Sequence, residues 1–365
     1  MIYLDYNSST PILEDLKKEI PILLDYYSNP SSEHSASREV KELIEKSRFE
    51  ILEALGLLNY KLVFCSTGTE ANQLALQFLW EENPEERNEV IFSYADHSSI
   101  FQLRESLKSF GYTVRIIPST RDGSIDLDYL EKYCSESTAL VSIQLANPYT
   151  GIIQDLKQAR EITDQYGTYL HTDSIQYISK TKNLLKEIDA DSYTISASKM
   201  YSLRGTSCLI FRSKPYSIFR GANQEKGLRA GSEFTLGIML FSKVINFLIS
   251  NEIEILNRQK ELKDLLSLGL ENSGYEVLFK NKNTLTNTIS CIINHKADLL
   301  LKYLNQKEIY ISNKICSTDL EDKIRIFTNL GYKKEEVEKI FTFSFGIYTQ
   351  KKELEFFINS LNEYK

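Results

Sequence analysis

Residues 61–80 read KLVFCSTGTEANQLALQFLW, and this stretch decides the fold class because it joins a strand pattern directly to a helix pattern. KLVFC is a short β-rich run, and from residue 69 the apolar residues are spaced as in an amphipathic helix. Gly68 and Thr69 stand at the junction, where free backbone N–H groups and the helix dipole can bind a phosphate. N-capping of the helix by Thr69 explains the motif equally well on its own.

The same alternation of strand and helix patterns continues toward residue 211. Strand-like runs occupy 61–65, 89–94, 112–117, 138–145, 168–173, 191–196 and 206–211, and helical patterns occupy 69–80, 98–110 and 153–166. Alternating strands and helices predict an α/β fold whose mainly parallel, seven-stranded sheet is covered by helices on both faces.

The pattern changes after Gly231. A helical stretch continues to about residue 273, and the runs 286–293, 308–312 and 340–348 are expected to pair as strands, with helices at 297–306 and 350–362. We therefore predict a large domain formed by residues 14–255 and a smaller α/β domain formed by residues 1–13 and 256–365.

Composition excludes several classes of function. The chain has 365 residues, 42% of them hydrophobic, and its formal charge of −7 argues against the broad basic surface that nucleic acids require. Its apolar runs are short, and no signal-peptide pattern follows Met1, which predicts a cytoplasmic protein without a membrane segment.

The cysteines and histidines form no recognisable metal or disulfide pattern. Five cysteines include no CxxC pair, and none of the four histidines is spaced as HxxxH. We therefore predict free thiols in a reducing compartment and no metal site.

Polar side chains follow two of the predicted strands. Asp173 ends the run 168–173, Gln176 lies three residues later, and Lys199 follows the run 191–196. The ends of parallel strands line the ligand crevice of open α/β sheets. Taken singly, Asp173 is better explained as a cap and Lys199 as a solvated charge, and a lone histidine such as His97 is more often a polar cap than a stacking group.

Taken together and in order, these motifs resemble the pyridoxal-phosphate cysteine desulfurases, which belong to the class V aminotransferase group of fold type I enzymes. The resemblance is nearly collinear over the whole chain. It is carried by LDYNSSTP (4–11), SNPSSEH (28–34), STGTEAN (66–72), DHSS (96–99), RDGSIDLDYLE (121–131), HTDSIQ (171–176), SASK (196–199), QEKGLRAGS (224–232) and FSFG (343–346).

The resemblance implies the cofactor pyridoxal 5'-phosphate and a role for each matching residue. Lys199 matches the lysine that binds the cofactor as a Schiff base and moves the substrate Cα proton. Asp173 matches the partner of the ring nitrogen, Gln176 the donor to the ring hydroxyl, and His97 the imidazole that stacks on the ring and assists catalysis.

The phosphate contacts implied by the resemblance come from two subunits. Gly68, Thr69 and Ser196 match phosphate ligands, and Ser198 precedes the lysine where the family has a histidine, keeping a hydroxyl for the cofactor. Ser232 matches a hydroxyl that reaches the phosphate bound to the other subunit, which implies a homodimer with shared sites.

The resemblance also implies a nucleophile. Cys316, in ISNKICSTD (311–319), matches the catalytic cysteine whose thiolate attacks the sulfur of L-cysteine, so that a persulfide remains on the enzyme and L-alanine is released. The sulfur is then delivered to an acceptor protein, as in iron–sulfur cluster assembly. Cys65, Cys208 and Cys291 lie within strand-like runs, where a cysteine is typically a small buried apolar group.

One departure from the family pattern concerns the substrate carboxylate. Thr342 stands where the family usually has an arginine that binds this group bidentately, and the loss is expected to cost about 2 to 5 kcal/mol of binding. Thr342 therefore leaves open another fold type I reaction, such as selenocysteine lysis or an aminotransferase-like conversion of a substrate without a free carboxylate.

Three further departures lie near the cofactor and the nucleophile. Pro148 replaces an asparagine that contacts the ring hydroxyl in the family, and the adjacent Asn147 is a candidate substitute. Ser198 replaces the histidine that precedes the lysine. Asn313 and Lys314 replace small residues that precede the catalytic cysteine. The set of Thr342, Pro148 and Ser198 leaves open a third hypothesis, a catalytically degraded scaffold that binds the cofactor without turnover.

Overall fold

The structure is a computed structural model that describes residues 1–80, 86–183, 185–213, 216–313 and 320–364. The helices are α1 (Glu14–Leu23), α2 (Ser35–Ala54), α3 (Gly68–Leu76), α4 (Ser98–Phe101), α5 (Leu103–Ser109), α6 (Leu127–Tyr133), α7 (Leu156–Gln165), α8 (Leu185–Ile188), α9 (Thr235–Ser250), α10 (Glu252–Asn272), α11 (Ala297–Gln306), α12 (Leu320–Asn329), α13 (Lys334–Val337) and α14 (Lys351–Glu363). The strands are β1 (Ile2–Tyr3), β2 (Lys61–Cys65), β3 (Glu89–Ser93), β4 (Thr113–Ile117), β5 (Thr138–Gln144), β6 (Tyr169–Asp173), β7 (Ser192–Ser196), β8 (Ser207–Phe211), β9 (Glu276–Val277), β10 (Thr288–Ile292), β11 (Ile309–Tyr310) and β12 (Ile340–Ser344).

The seven strands predicted between residues 61 and 211 form one sheet, in the order β2-β8-β7-β6-β5-β3-β4. Strands β4, β3, β5, β6 and β7 pair in parallel, and β8 runs antiparallel to both of its neighbours. The predicted fold class is therefore confirmed.

Successive residues of these strands enter two different cores. In β2, Leu62 and Phe64 pack into the cluster that includes α2, α7 and α9, whereas Val63 and Cys65 pack into the cluster that includes α3 and α5. Side chains of a strand point alternately to the two faces, so both faces of the sheet are covered.

The strand directions bring the site residues to one edge. Strands β3, β5, β6 and β7 are parallel, and β2 has the same direction because it and β7 are both antiparallel to β8. Their carboxyl ends consequently share an edge, and the segments that follow β2, β3, β6 and β7 carry the predicted motifs. This is the edge at which α/β sheets bind ligands.

The C-terminal strands pair differently from the prediction. Residues 308–312 were expected to pair with the other two C-terminal runs, which is wrong: β11 pairs in parallel with β1, while the second sheet has the order β12-β10-β9. Strand β10 has only two edges, and β12 and the nearby β9 occupy both. The N-terminal residues supply the partner that β11 needs, with Ile2 opposite Ile309.

A further core lies around the second sheet. It combines Ile2 and Leu4 with buried residues between Leu262 and Leu361. The division into a domain of residues 14–255 and one of residues 1–13 and 256–365 remains a prediction, and its boundary falls in the first turn of α10.

No single helix within the described ranges is long and apolar enough to cross a membrane. Only α9 and α10 taken together, with a bend of 72° between them, meet that criterion of length and composition.

Candidate active site

A cavity of about 1100 Å³ lies at the carboxyl edge of the large sheet. Eight of the predicted cofactor-binding residues line it: Gly68, Thr69, His97, Asp173, Gln176, Ser196, Ser198 and Lys199. Ser232 does not line this cavity and is exposed. Cys316 lies outside the described residues.

The N-terminus of α3 forms one wall of the cavity. Thr67 is the N-cap, because its Oγ1 accepts a hydrogen bond from the Glu70 amide at 3.1 Å, so the expectation that Thr69 caps the helix is wrong. The first amides of a helix have no partner inside the helix and face an approaching anion. A Cβ atom on Gly68 would lie 2.3 Å from Ile175 Cδ1, so a larger residue here would require the Ile175 side chain to move.

Hydroxyl groups extend this wall. Ser207 Oγ donates to Ser196 Oγ at 2.8 Å, and the hydroxyls of Ser196 and Ser198 lie 3.2 Å apart. Together with the start of α3, these neutral donors form a set suited to a phosphate.

Asp173 ends β6 and is buried, with 2% of its surface exposed. Its Oδ2 accepts from Asn72 Nδ2 at 2.9 Å, and its Oδ1 accepts from the Ile175 amide at 3.0 Å. Burial raises the pKa of Asp173, and the positive charges of His97 and Lys199 act in the opposite direction. A buried carboxylate held only by neutral donors is suited to a protonated ring nitrogen.

Asn72 is a residue that the sequence reasoning missed. Its Nδ2 group donates both to Asp173 and to Ser99 Oγ, the latter at 2.9 Å, so its Oδ1 is left to accept from His171 Nε2 at 3.3 Å. Burial lowers the pKa of His171 to about 3, so this histidine is neutral at physiological pH and orients Asn72. Asn72 lies in STGTEAN (66–72) and His171 lies in HTDSIQ (171–176). Their closeness in sequence to Gly68 and Asp173 was the signal that could have identified them as site residues.

His97 is the N-cap of α4 and faces the cavity. Its Nδ1 accepts from the Ser99 amide at 3.1 Å and lies 2.9 Å from Ser99 Oγ. In the neutral ring the proton therefore resides on Nε2. The capping explanation and the ring-stacking prediction are compatible, because the cap uses only one ring nitrogen.

Lys199 ends the short 3-10 segment that follows β7. Its Nζ atom donates to the Ser8 carbonyl, and the Thr10 amide donates to the Ser198 carbonyl at 3.2 Å. The N-terminal segment therefore crosses over the lysine and forms part of its surroundings.

The structure shows the positions and hydrogen bonds of the residues at two departures from the family pattern. Thr342 lies in the middle of β12, is 7% exposed, and donates through Oγ1 to the Tyr149 carbonyl at 2.9 Å. Asn147 does not line the cavity, because its Oδ1 accepts from the amides of Tyr149 and Thr150 and braces the turn there. Pro148 does line the cavity.

Helix α12 also contributes to the wall of the cavity. Its first three residues, Leu320, Glu321 and Asp322, line the cavity, and Asp322 Oδ2 accepts from the Ser98 amide at 3.1 Å. Asp322 also pairs with Arg325 at 2.8 Å. Cys316 precedes the first of these lining residues by four positions in the sequence.

The residues present fit pyridoxal 5'-phosphate. The start of α3 and the serine hydroxyls would hold the phosphate, Asp173 the ring nitrogen, Gln176 the ring hydroxyl and Lys199 the aldehyde carbon. The buried Asp173 carboxylate, which has no cationic hydrogen-bond partner, is the observation that favours this ligand over a simple anion.

Comparison with known proteins gives a consistent result. The family model for aminotransferase class-V matches residues 2–357. The cysteine desulfurase IscS of Dictyoglomus turgidum is 28% identical over 367 residues, covering 99% of this chain and 93% of the relative. The cysteine desulfurase IscS 1 of Archaeoglobus fulgidus is 33% identical over 267 residues, covering 72% and 70%.

Solved structures agree with these relatives. A NifS-like protein from Rickettsia africae has a TM-score of 0.88 and 28% identity, covering 100% of this chain and 99% of the other. A second NifS-like protein has a TM-score of 0.93 at 24% identity and covers 100% of this chain and 98% of its own, which shows the fold alone.

Proposed function

Since this chain belongs to the class V aminotransferase family, and within it to the pyridoxal-phosphate-dependent cysteine desulfurases, we propose that it converts L-cysteine to L-alanine at the cavity lined by Lys199 and Asp173. The observation that carries this assignment of residues is that both side chains line one cavity at the ends of the neighbouring strands β7 and β6. The relatives do not favour the selenocysteine lyase, aminotransferase-like or scaffold alternatives.

The side chains of the cavity have distinct tasks. When bound, the cofactor supplies an aldehyde that takes up the substrate amine and a ring that withdraws electrons from the bonds at Cα. Asp173 keeps the ring nitrogen protonated, and Asn72 holds the carboxylate in place. Lys199 would hold the cofactor through its Nζ atom and would move the proton at the substrate Cα atom.

Cys316 completes the reaction in this proposal. Its thiolate attacks the substrate sulfur, the carbon–sulfur bond breaks, and the sulfur remains as a persulfide on Cys316 for an acceptor protein. The four described cysteines, Cys65, Cys134, Cys208 and Cys291, are buried, and burial raises the pKa of each thiol. None of these four is suited to act as a thiolate nucleophile.

We further propose a homodimer. Ser232 is exposed and away from the cavity of its own subunit, and the same segment exposes the apolar side chains of Ile218, Phe219 and Phe234. Contact between copies at this segment would cover the apolar side chains and bring Ser232 to the phosphate of the other subunit. A cytoplasmic location is supported by the free thiols of the described cysteines.

Because residue 342 is a threonine and not an arginine, we predict that the site distinguishes only weakly between substrates with and without a free carboxylate. Thr342 is bonded to the Tyr149 carbonyl and does not line the cavity. We expect L-cysteine and L-cysteine methyl ester to differ less than about tenfold in dissociation constant, because a bidentate arginine contact would contribute about 2 to 5 kcal/mol. The measurement is the change of the cofactor's visible band on titration at one pH.

L-cysteinamide serves as the control for ester hydrolysis, since it lacks the charge and is not readily hydrolysed. If both neutral analogues bind at least a hundredfold more weakly than L-cysteine, this prediction is wrong and another cation binds the carboxylate.

The proposed function has a direct test. Purified protein reconstituted with pyridoxal phosphate and given L-cysteine and a thiol reductant is expected to release alanine and sulfide in equal amounts. Alanine is quantified by amino acid analysis and sulfide colorimetrically. If the protein binds the cofactor but releases neither product, the desulfurase proposal is wrong, and a scaffold that binds the cofactor without turnover becomes the favoured hypothesis.

A further inference from the structure

Lys180 is a buried lysine directly behind the cavity. It lies in the turn after β6 and is 2% exposed. Its Nζ atom donates to Gln176 Oε1, and to Asn7 Oδ1 at 3.2 Å. Its carbonyl accepts from the amide and the hydroxyl of Thr286 at 2.8 and 2.9 Å, so the backbone is anchored independently of the side chain.

This ammonium group has no counter-ion among the described residues. No carboxylate oxygen there lies within 4.0 Å of Nζ, and both of its hydrogen-bond acceptors are neutral amides. Burial, followed by the positive charge of Lys199, lowers the pKa of Lys180 well below its usual value. A buried lysine without a carboxylate is costly to maintain, which points to a negative charge that arrives with a ligand.

Gln176 connects Lys180 to the cavity. Lys180 Nζ can only donate when protonated and the Asn7 carbonyl can only accept, so the amide of Gln176 has its oxygen on Lys180 and its nitrogen on Asn7, at 2.9 Å. The second N–H of Gln176 is thereby directed to other acceptors, and Gln176 is the member of this cluster that lines the cavity.

We propose that Lys180 is a positioning residue that acts through Gln176: it fixes the donor face of the Gln176 amide toward the cofactor's ring oxygen and supplies the buried positive charge that balances this oxygen when it is ionised. The proposal rests on the proposed function, because it requires the cofactor on Lys199.

Few other charges surround the cluster formed by Lys180, Gln176 and Asn7. From the N-terminal segment and the ends of β6 and β7, the titratable groups that face the site are Asp5, Asp173 and Lys199. His97, which caps α4, and Arg204, in the loop after β7, line the same cavity as Gln176. At the start of β10, the Asn7 side chain contacts the amide of Asn287 and the hydroxyl of Thr288, both of which are neutral. Replacing Lys180 with a neutral residue therefore removes the positive charge that is hydrogen-bonded directly to Gln176.

The test is a pH titration of the visible absorption band of the reconstituted protein. In Lys180→Met, the pKa of this band is expected to rise by about one unit, because removing a nearby positive charge favours the protonated form of the cofactor–lysine linkage. Lys180→Gln is expected to shift the pKa in the same direction. Lys180→Arg keeps the charge and is expected to shift it by less than about 0.3 unit.

Lys263→Met is the matched control. Lys263 is half-buried, has a pKa lowered by desolvation to about 8, and donates to Thr284 and Leu285, neither of which lines this cavity. Its replacement is expected to leave the pKa of the band unchanged. If the band titrates in both neutral Lys180 variants as it does in wild type, the proposal is overturned.

Two other outcomes are also decisive. If neither neutral variant folds while Lys263→Met does, Lys180 is a structural residue and the proposal is wrong. If wild-type protein develops no visible band with the cofactor, the proposed function is wrong. This result differs from a failure of the Lys180 proposal alone, in which the wild-type band is present.

Discussion

Replacing Lys199 with alanine is expected to remove the visible absorption band and to reduce alanine release by roughly 10⁴-fold, the upper range for loss of a catalytic acid or base. Lys199 is proposed to anchor the cofactor and to move the substrate Cα proton, so both functions disappear together. The side chain donates to the Ser8 carbonyl, and the residue lies after the fully buried strand β7 and outside its pairing, so the sheet does not depend on it. Absorbance spectra and amino acid analysis of the products provide the measurements.

Lys199→Arg is the matched control for charge. An arginine keeps the positive charge beside Asp173 but forms no stable covalent linkage with the cofactor, so we expect the same loss of activity with unchanged thermal unfolding. Retention of more than a tenth of wild-type activity in either folded variant would contradict the role given to Lys199.

Replacing Cys316 with alanine is expected to abolish persulfide formation and to reduce release of alanine from L-cysteine to background. The visible band should persist, because no cofactor contact is assigned to this residue. Mass spectrometry of the protein after brief exposure to L-cysteine, without reductant, should show one added sulfur atom on wild type and none on Cys316→Ala.

Cys134→Ala is the control for this experiment. Cys134 is buried, lies 3.7 Å from the Thr168 hydroxyl, and has a pKa raised by burial. The sulfur adduct and alanine release are expected to be unchanged in this variant. Wild-type rates of alanine release in Cys316→Ala would exclude the persulfide mechanism while leaving other chemistry at the cofactor possible.

The sheet could be predicted from the sequence because its strands are short, apolar and buried on both faces. In β2, the run KLVFC supplies two side chains to each core, and this signal is local. The position of Asp173 and Lys199 at strand ends is local as well, and parallel strand direction then brings them to one edge. The cavity follows from these two local features.

The remaining features depend on contacts between distant residues. The pairing of Ile2 with Ile309 joins the two ends of the chain, and no short pattern indicates it. The hydrogen bonds of Asn72 to Asp173 and of Lys180 to Asn7 span 101 and 173 residues. The N-cap at Thr67, two residues before the expected position, depends on which of the two threonines that flank Gly68 has extended backbone geometry.

The proposed function requires that Lys199 hold the cofactor covalently in the cavity that Asp173 also lines. Reduction of the reconstituted protein with borohydride, followed by proteolysis and mass spectrometry, tests it most directly. We predict a pyridoxyl phosphate group on the peptide that contains Lys199 and on no other. A label on the peptide that contains Lys180, or the absence of any labelled peptide, would contradict the account.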